Sequence, residues 1–127
     1  LEKHGMLFAD NGGSPHWGNQ FKSLMSRILP RQQYIVVPLD HPIHYIPYPI
    51  PFLPYVAPHG GKEALAWVVD GRIVAYYHPG DIGDAWADDH AGVDRQVWEA
   101  CYHLGTNVIF YGHTEYSKWL EARKKSD

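Results

Sequence analysis

Asp81-Ile82-Gly83-Asp84-Ala85-Trp86 sets two carboxylates three positions apart beside a glycine and a tryptophan, directly after a strongly apolar stretch. Such a pair, with Asp10 as a third acid, could do general acid/base work if burial or mutual repulsion lifted one pKa. Against that, Asp84-Ala85-Trp86 could simply cap a turn and bury an indole. His41 and His44, with His59, His78 or His90, offer the imidazoles of a zinc or copper site, and His41, His44 and His78 form the candidate ligand set. Ordinary surface or hydrogen-bonded histidines are the alternative, because His-Pro-Ile-His lies in an extended stretch and neither His-Glu-x-x-His nor Cys-x-x-Cys occurs. Cys101 is the single cysteine and sits at a core-like helical position, with no nucleophile elbow anywhere in the chain. Asn11-Gly12-Gly13-Ser14 could cradle an anion on its amides or serve as a plain connector. It matches neither the dinucleotide fingerprint nor the P-loop.

The elements that must position these groups follow from periodicity and punctuation. Leu1 to Gly5 reads as the last turn of a helix closed by a C-cap glycine. The chain is therefore expected to begin in mid-element, with an N-terminal portion of the domain lying outside it. Met6-Leu7-Phe8-Ala9 is a buried-type strand. Ser14-Pro15 starts an amphipathic helix carrying Trp17, Phe21, Leu24 and Ile28, which Pro30 stops. Tyr34-Ile35-Val36-Val37 is a second strand closed by Pro38. Residues 41–60 hold most of the prolines, interleaved with Tyr45, Tyr48, Phe52 and Tyr55, and predict a long ordered loop. Its rings are either a rigid docking platform or a cluster folded back over the sheet.

Leu65 to Val69 and Arg72 to Tyr77, separated by Asp70-Gly71, predict a type I′ hairpin. Val93, Val97, Cys101 and Leu104 predict a helix ending at Gly105, then a buried strand over Asn107-Val108-Ile109-Phe110-Tyr111, then a last helix capped by Thr114. Strands that follow helices are expected to run parallel, and ligands bind at the carboxyl ends of such strands. The groups at those ends are Asp10 and Asn11, Asp40 and His41, His78 with Asp81 and Asp84, and His113. The ligand-binding candidates are accordingly Asp10, Asn11, His41, Asp81, Asp84, Trp86 and His113, sharing one rim.

At 127 residues, 45% of them hydrophobic, the chain has material for one domain with a single core. A formal charge of -3, with a basic run only at Arg123-Lys124-Lys125, points away from nucleic acid and anionic membranes. No apolar run reaches the roughly 18 to 20 residues of a membrane span.

Gly5-Met6-Leu7-Phe8-Ala9-Asp10-Asn11-Gly12-Gly13, Pro38-Leu39-Asp40-His41-Pro42-Ile43, Asp81 to Trp86, and Gly105-Thr106-Asn107-Val108-Ile109-Phe110-Tyr111 occur in the order of four signature blocks. On these blocks the chain resembles a bacterial family, domain of unknown function 4159, over the later two-thirds of its domain. The resemblance implies a three-layer α/β/α sandwich similar to flavodoxin and to class I glutamine amidotransferases, without the catalytic cysteine elbow of the latter. It implies recurring polar positions at Asp10, Asp40, His41, Asp81, Gly83, Asp84 and Asn107, and an extracytoplasmic address. Asn11 and the shifted His44-Tyr45 depart from the family pattern, which weakens a shared metal site.

Three functions follow as expectations. One is an amidotransferase-like module that binds a ligand or protein at the polar rim without catalysis. A second is a metal-dependent hydrolase with zinc or copper on His and Asp. The third is a structural subunit or homo-oligomer docking through residues 42–58 or an open sheet edge.

Overall fold

The computed structural model describes residues 1, 3–57, 59 and 61–126. Glu2 of the expected helix tail, and Pro58 and Gly60 of the long loop, lie outside them. Among the described residues four strands form one sheet: β1 (Leu7–Asp10), β2 (Ile35–Val36), β3 (Leu65–Val69) and β4 (Arg72–His78), in the spatial order β1-β4-β3-β2. Two helices accompany it, α1 (Pro15–Ile28) and α2 (Arg95–Ser126), with short 3₁₀ turns at Pro42–His44, Ile82–Trp86 and His90–Gly92.

Asp70-Gly71 makes the hairpin it predicts. Both residues adopt positive φ, 52° and 77°, as a I′ turn demands, and β3 pairs antiparallel with β4. β1 lies parallel to β4, with Asp10 opposite His78, whereas β2 is antiparallel to β3. The expected mostly parallel sheet is thus a mixed one, because β3 runs against the other three strands and takes part in two of the three pairings.

Alternation along β4, broken by a register shift in its pairing with β3 between Trp67 and Val68, divides the core. Ala75 and Tyr77 join Ala9, Trp67 and Met25 of α1 in one apolar cluster, while Ile73 and Tyr76 join Cys101, Leu104 and Val108 of α2 in the other. Ser14 caps α1 through its Oγ, which accepts the Trp17 N–H at 3.3 Å, and the helix runs on to Ile28 as its spacing predicts. The segment from Lys3 to Gly5 is not the tail of a helix: the His4 N–H donates to the Leu1 carbonyl at 3.0 Å, and His4 itself sits at φ 61°.

The larger correction concerns residues 105–114. The predicted strand at 107–111 and the break at Gly105 are absent, and α2 runs unbroken for 32 residues. Its buried positions are Ala100, Cys101, Leu104, Gly105, Asn107 and Val108, a helical stripe, while Ile109 and Phe110 point outward. Gly105 ends nothing. A Cβ there would stand 2.5 Å from the Trp86 ring, so the glycine exists to let the indole lie on the helix.

The Pro/aromatic loop returns over the α2 side of the sheet as an ordered strap. Ile43 and Ile50 are buried in that core, with Leu53 and Val56 packed against it, whereas Tyr45 and Tyr48 face outward. The segment thus folds back over the sheet, as one of its two readings expects.

Candidate functional site

The carboxyl ends of β1 and β4 meet side by side, and the Ile82–Trp86 turn folds against them. Asp10 is the joint. Its Oδ1 accepts the Ile82 N–H at 3.0 Å and its Oδ2 the Gly83 N–H at 2.7 Å, so the carboxylate clamps the turn. Burial raises its pKa, the two amides oppose that shift, and the Asp81 charge adds to it. Asn11 is fully engaged next to it. Its Oδ1 accepts from the Gly13 and Ser14 amides at 3.0 and 3.1 Å, and its Nδ2 donates to the Ser14 carbonyl and the Tyr77 hydroxyl. The amides read as an anion cradle are thus taken up by the chain itself.

Asp81 differs in kind. It adopts φ 56°, caps nothing with its side chain, and sets Oδ2 3.8 Å from His59 Nε2. Asp84 is exposed on the same turn. The turn itself carries Asp81 and Asp84 and no basic side chain, with the His59 imidazole beside it. Trp86, which follows, donates its Nε1–H to the Cys101 carbonyl at 3.1 Å and leaves part of the ring in solvent.

His78, at the end of β4, is buried. Its Nδ1 accepts the Gly80 N–H at 2.9 Å, which puts the proton of the neutral ring on Nε2. That Nε2 has no well-aligned hydrogen-bond partner among the described residues, the Pro54 carbonyl lying near the ring. Burial pushes the His78 pKa down to about 3, the nearby His44 adds to the shift, and the Pro54 carbonyl opposes it. Cys101 is buried too, and burial with the Asp10 charge pushes its thiol up to about 12. A thiol so placed is a core group, not a nucleophile.

The expected rim is only partly assembled. Asp10, Asn11, Asp81, Asp84 and His78 gather there with Trp86 beside them. His41 does not join them. It caps the Pro42–His44 turn, Nδ1 accepting the Ile43 N–H at 3.0 Å, and its ring tilts against Tyr111 of α2. His113, expected at the end of a strand, rides exposed on α2. It lines a groove with His4, Gly5, Met6 and Tyr116, where the chain enters β1, away from Asp10 at the strand's other end.

The candidate metal set His41, His44 and His78 is not brought together. His44 Nδ1 donates to the Pro38 carbonyl at 2.9 Å and its Nε2 accepts the Tyr76 hydroxyl at 2.7 Å, leaving no lone pair for a cation. Among the described residues no three His, Cys, Asp or Glu side chains are grouped to hold a metal ion. No helix of the described residues is long and apolar enough to cross a membrane.

Two residues named in the sequence but not among the rim candidates matter to this region. Asn107, buried on α2, grips the strap at Tyr48, accepting its N–H at 3.0 Å and donating to its carbonyl at 2.6 Å. Its signal was an amide inside an otherwise apolar helical stripe. His59 owes its place beside Asp81 to backbone pairing with Pro79, which no local pattern announces.

Sheet, strap and rim define a mixed α/β domain whose polar groups converge at the ends of two adjacent parallel strands. The chain belongs to the family described as Domain of unknown function (DUF4159), whose model matches residues 1–112. No match to the chain is found among curated proteins or among solved structures.

Proposed function

We propose that this domain is a non-catalytic binding module of amidotransferase-like ancestry, with a three-layer α/β/α plan, that receives a ligand or a protein chain at the rim beside Asp81 and Asp84. One observation carries the reading: both Asp10 oxygens are occupied by backbone amides, so the acid best placed for catalysis is a structural clamp. The rim then divides its labour. Asp10 and Asn11 hold the backbone of two loops, and Asp81 and Asp84 remain to meet a partner. The acidic character favours ligands that bring hydrogen-bond donors or positive charge. The Cys101 thiol, pushed up to about 12, supports the absence of covalent chemistry.

A thermal-shift screen of amines, amino sugars and basic peptides tests it. A compound that raises the melting temperature of the wild type, but not of the Asp81→Asn/Asp84→Asn variant, is the expected result. Turnover of ester, amide or phosphate substrates by the wild type, lost on Asp81→Asn, would overturn it.

A further inference from the structure

Three imidazoles in this chain do the same unusual job. His41 Nδ1 accepts the Ile43 amide at 3.0 Å, His44 Nε2 accepts the Tyr76 hydroxyl at 2.7 Å, and His78 Nδ1 accepts the Gly80 amide at 2.9 Å. An imidazole accepts a hydrogen bond only while neutral, since both nitrogens of the cation carry protons. Protonation therefore sets two donors facing one another at the Ile43 and Gly80 amides, and at His44 it turns the Tyr76 hydroxyl from donor to acceptor.

All three sit at the ends of the strap. His41 and His44 lie where the chain leaves Pro38, and His44 also donates to the Pro38 carbonyl. His78 orders the Gly80 turn, whose carbonyl accepts the Val56 and Ala57 amides at 2.8 and 3.1 Å and so holds the far end. The middle is fastened differently, by Asn107 on Tyr48, a contact without a titrating group. The apolar cluster on the α1 side contains no histidine and no strap residue.

We infer that the strap, residues 38–57, is an acid-released cover: protonation of His41, His44 and His78 frees both its ends from the α2 side of the sheet while Asn107 keeps its middle attached. Release uncovers Ile43, Ile50 and the β4 face beneath them, a surface the neutral domain keeps dry.

The groups facing each ring favour this response. His41 has the Tyr111 ring of α2 against it, and the Asp40 charge opposes a burial effect that is the larger. His44 faces Tyr76 from β4, and His41 adds to its burial, with the Pro38 carbonyl opposing. His78 faces His44, the Tyr55 ring of the strap, and Asp10 of β1 at 3.8 Å. That acid is already committed to Ile82 and Gly83. His44 thus repels both His41 and His78 when the rings are charged, which makes each further protonation at the strap assist in opening it.

Amide hydrogen exchange, expressed as protection factors at about pH 7 and about pH 5, decides the matter. The Ile50 and Val56 amides, bonded to His44 and Gly80 carbonyls, should lose about tenfold or more in protection, with α1 and β3 amides unchanged. His41→Asn, which keeps an acceptor at the cap without titrating, should shrink the loss in the first half of the strap. Equal loss at every amide, or none in the strap, would overturn the inference. So would an unaltered pH response in His41→Asn combined with His44→Gln.

Discussion

A single carboxylate joins two strands to the turn that carries the rim, which makes Asp10 the residue whose loss is easiest to read. Asp10→Ala strips the acceptors from the Ile82 and Gly83 amides in a partly buried place, at about 1 to 3 kcal/mol for each group left unsatisfied. The expected outcome is a loss of about 2 to 4 kcal/mol in urea unfolding, with faster exchange at amides 82 and 83. Asp84→Ala, on an exposed side chain of the same turn, should stay within about 0.5 kcal/mol. Equal effects of the two would remove the clamp from the account. The approach of Asp10, Asp81 and Asp84 was legible in the sequence because all three follow apolar runs that end at one edge. Which of them would be consumed by backbone was not. That depends on the path of the Ile82–Trp86 turn, and nothing in Asp-Ile-Gly-Asp fixes where its amides point.

At the scale of elements, α2 and the Trp86 turn are fitted to each other at Gly105. Gly105→Ala sets two effects against one another, since alanine favours a helix interior by about 1 kcal/mol while crowding in a packed interface costs about 1 to 3 kcal/mol. The Cβ would fall 2.5 Å from a rigid ring fastened to the Cys101 carbonyl, so crowding wins. The variant should be less stable by about 1 to 2 kcal/mol, with the Trp86 indole N–H resonance moved from its wild-type position. A more stable variant with that resonance unmoved would show that helix propensity rules the site. The same glycine explains why sequence reading divided α2. Gly105 and the β-branched run after it are local signals for a stop and a strand, but Val97, Cys101, Leu104, Val108 and Tyr111 keep the spacing of one helical face throughout. Tertiary packing on that face outweighed local propensity. The hairpin was legible for the opposite reason: Asp70-Gly71 demands a backbone form that few other pairs accept, and the structure adopts it.

For the molecule as a whole, proton linkage has a definite sign. His41, His44 and His78 all have pKa values lowered by burial, so the folded state binds fewer protons than the unfolded chain once the pH drops through the ordinary value of 6.5. Their contribution is complete above that value and declines as the pH falls toward each folded pKa. Asp10 works the other way: its raised pKa makes folding take up a proton in the carboxylate range, which favours the folded state slightly as acid is added. The histidines dominate, because the His78 pKa falls from 6.5 to about 3 and that ring is wholly buried. At about 1.4 kcal/mol per unit, His78 alone withdraws about 3 kcal/mol by pH 4, a large share of the 5 to 15 kcal/mol that typically holds a domain together. Urea midpoints measured from pH 8 to pH 4 should therefore be level above about 7 and descend steadily below 6.5. His78→Gln, which offers Gly80 a neutral acceptor at every pH, should flatten the lower part of that descent even where it lowers the plateau. A wild-type midpoint that holds level down to pH 4 would mean that these rings are not kept neutral by the fold. The clamp, the strap and the acid response would then have to be explained without them.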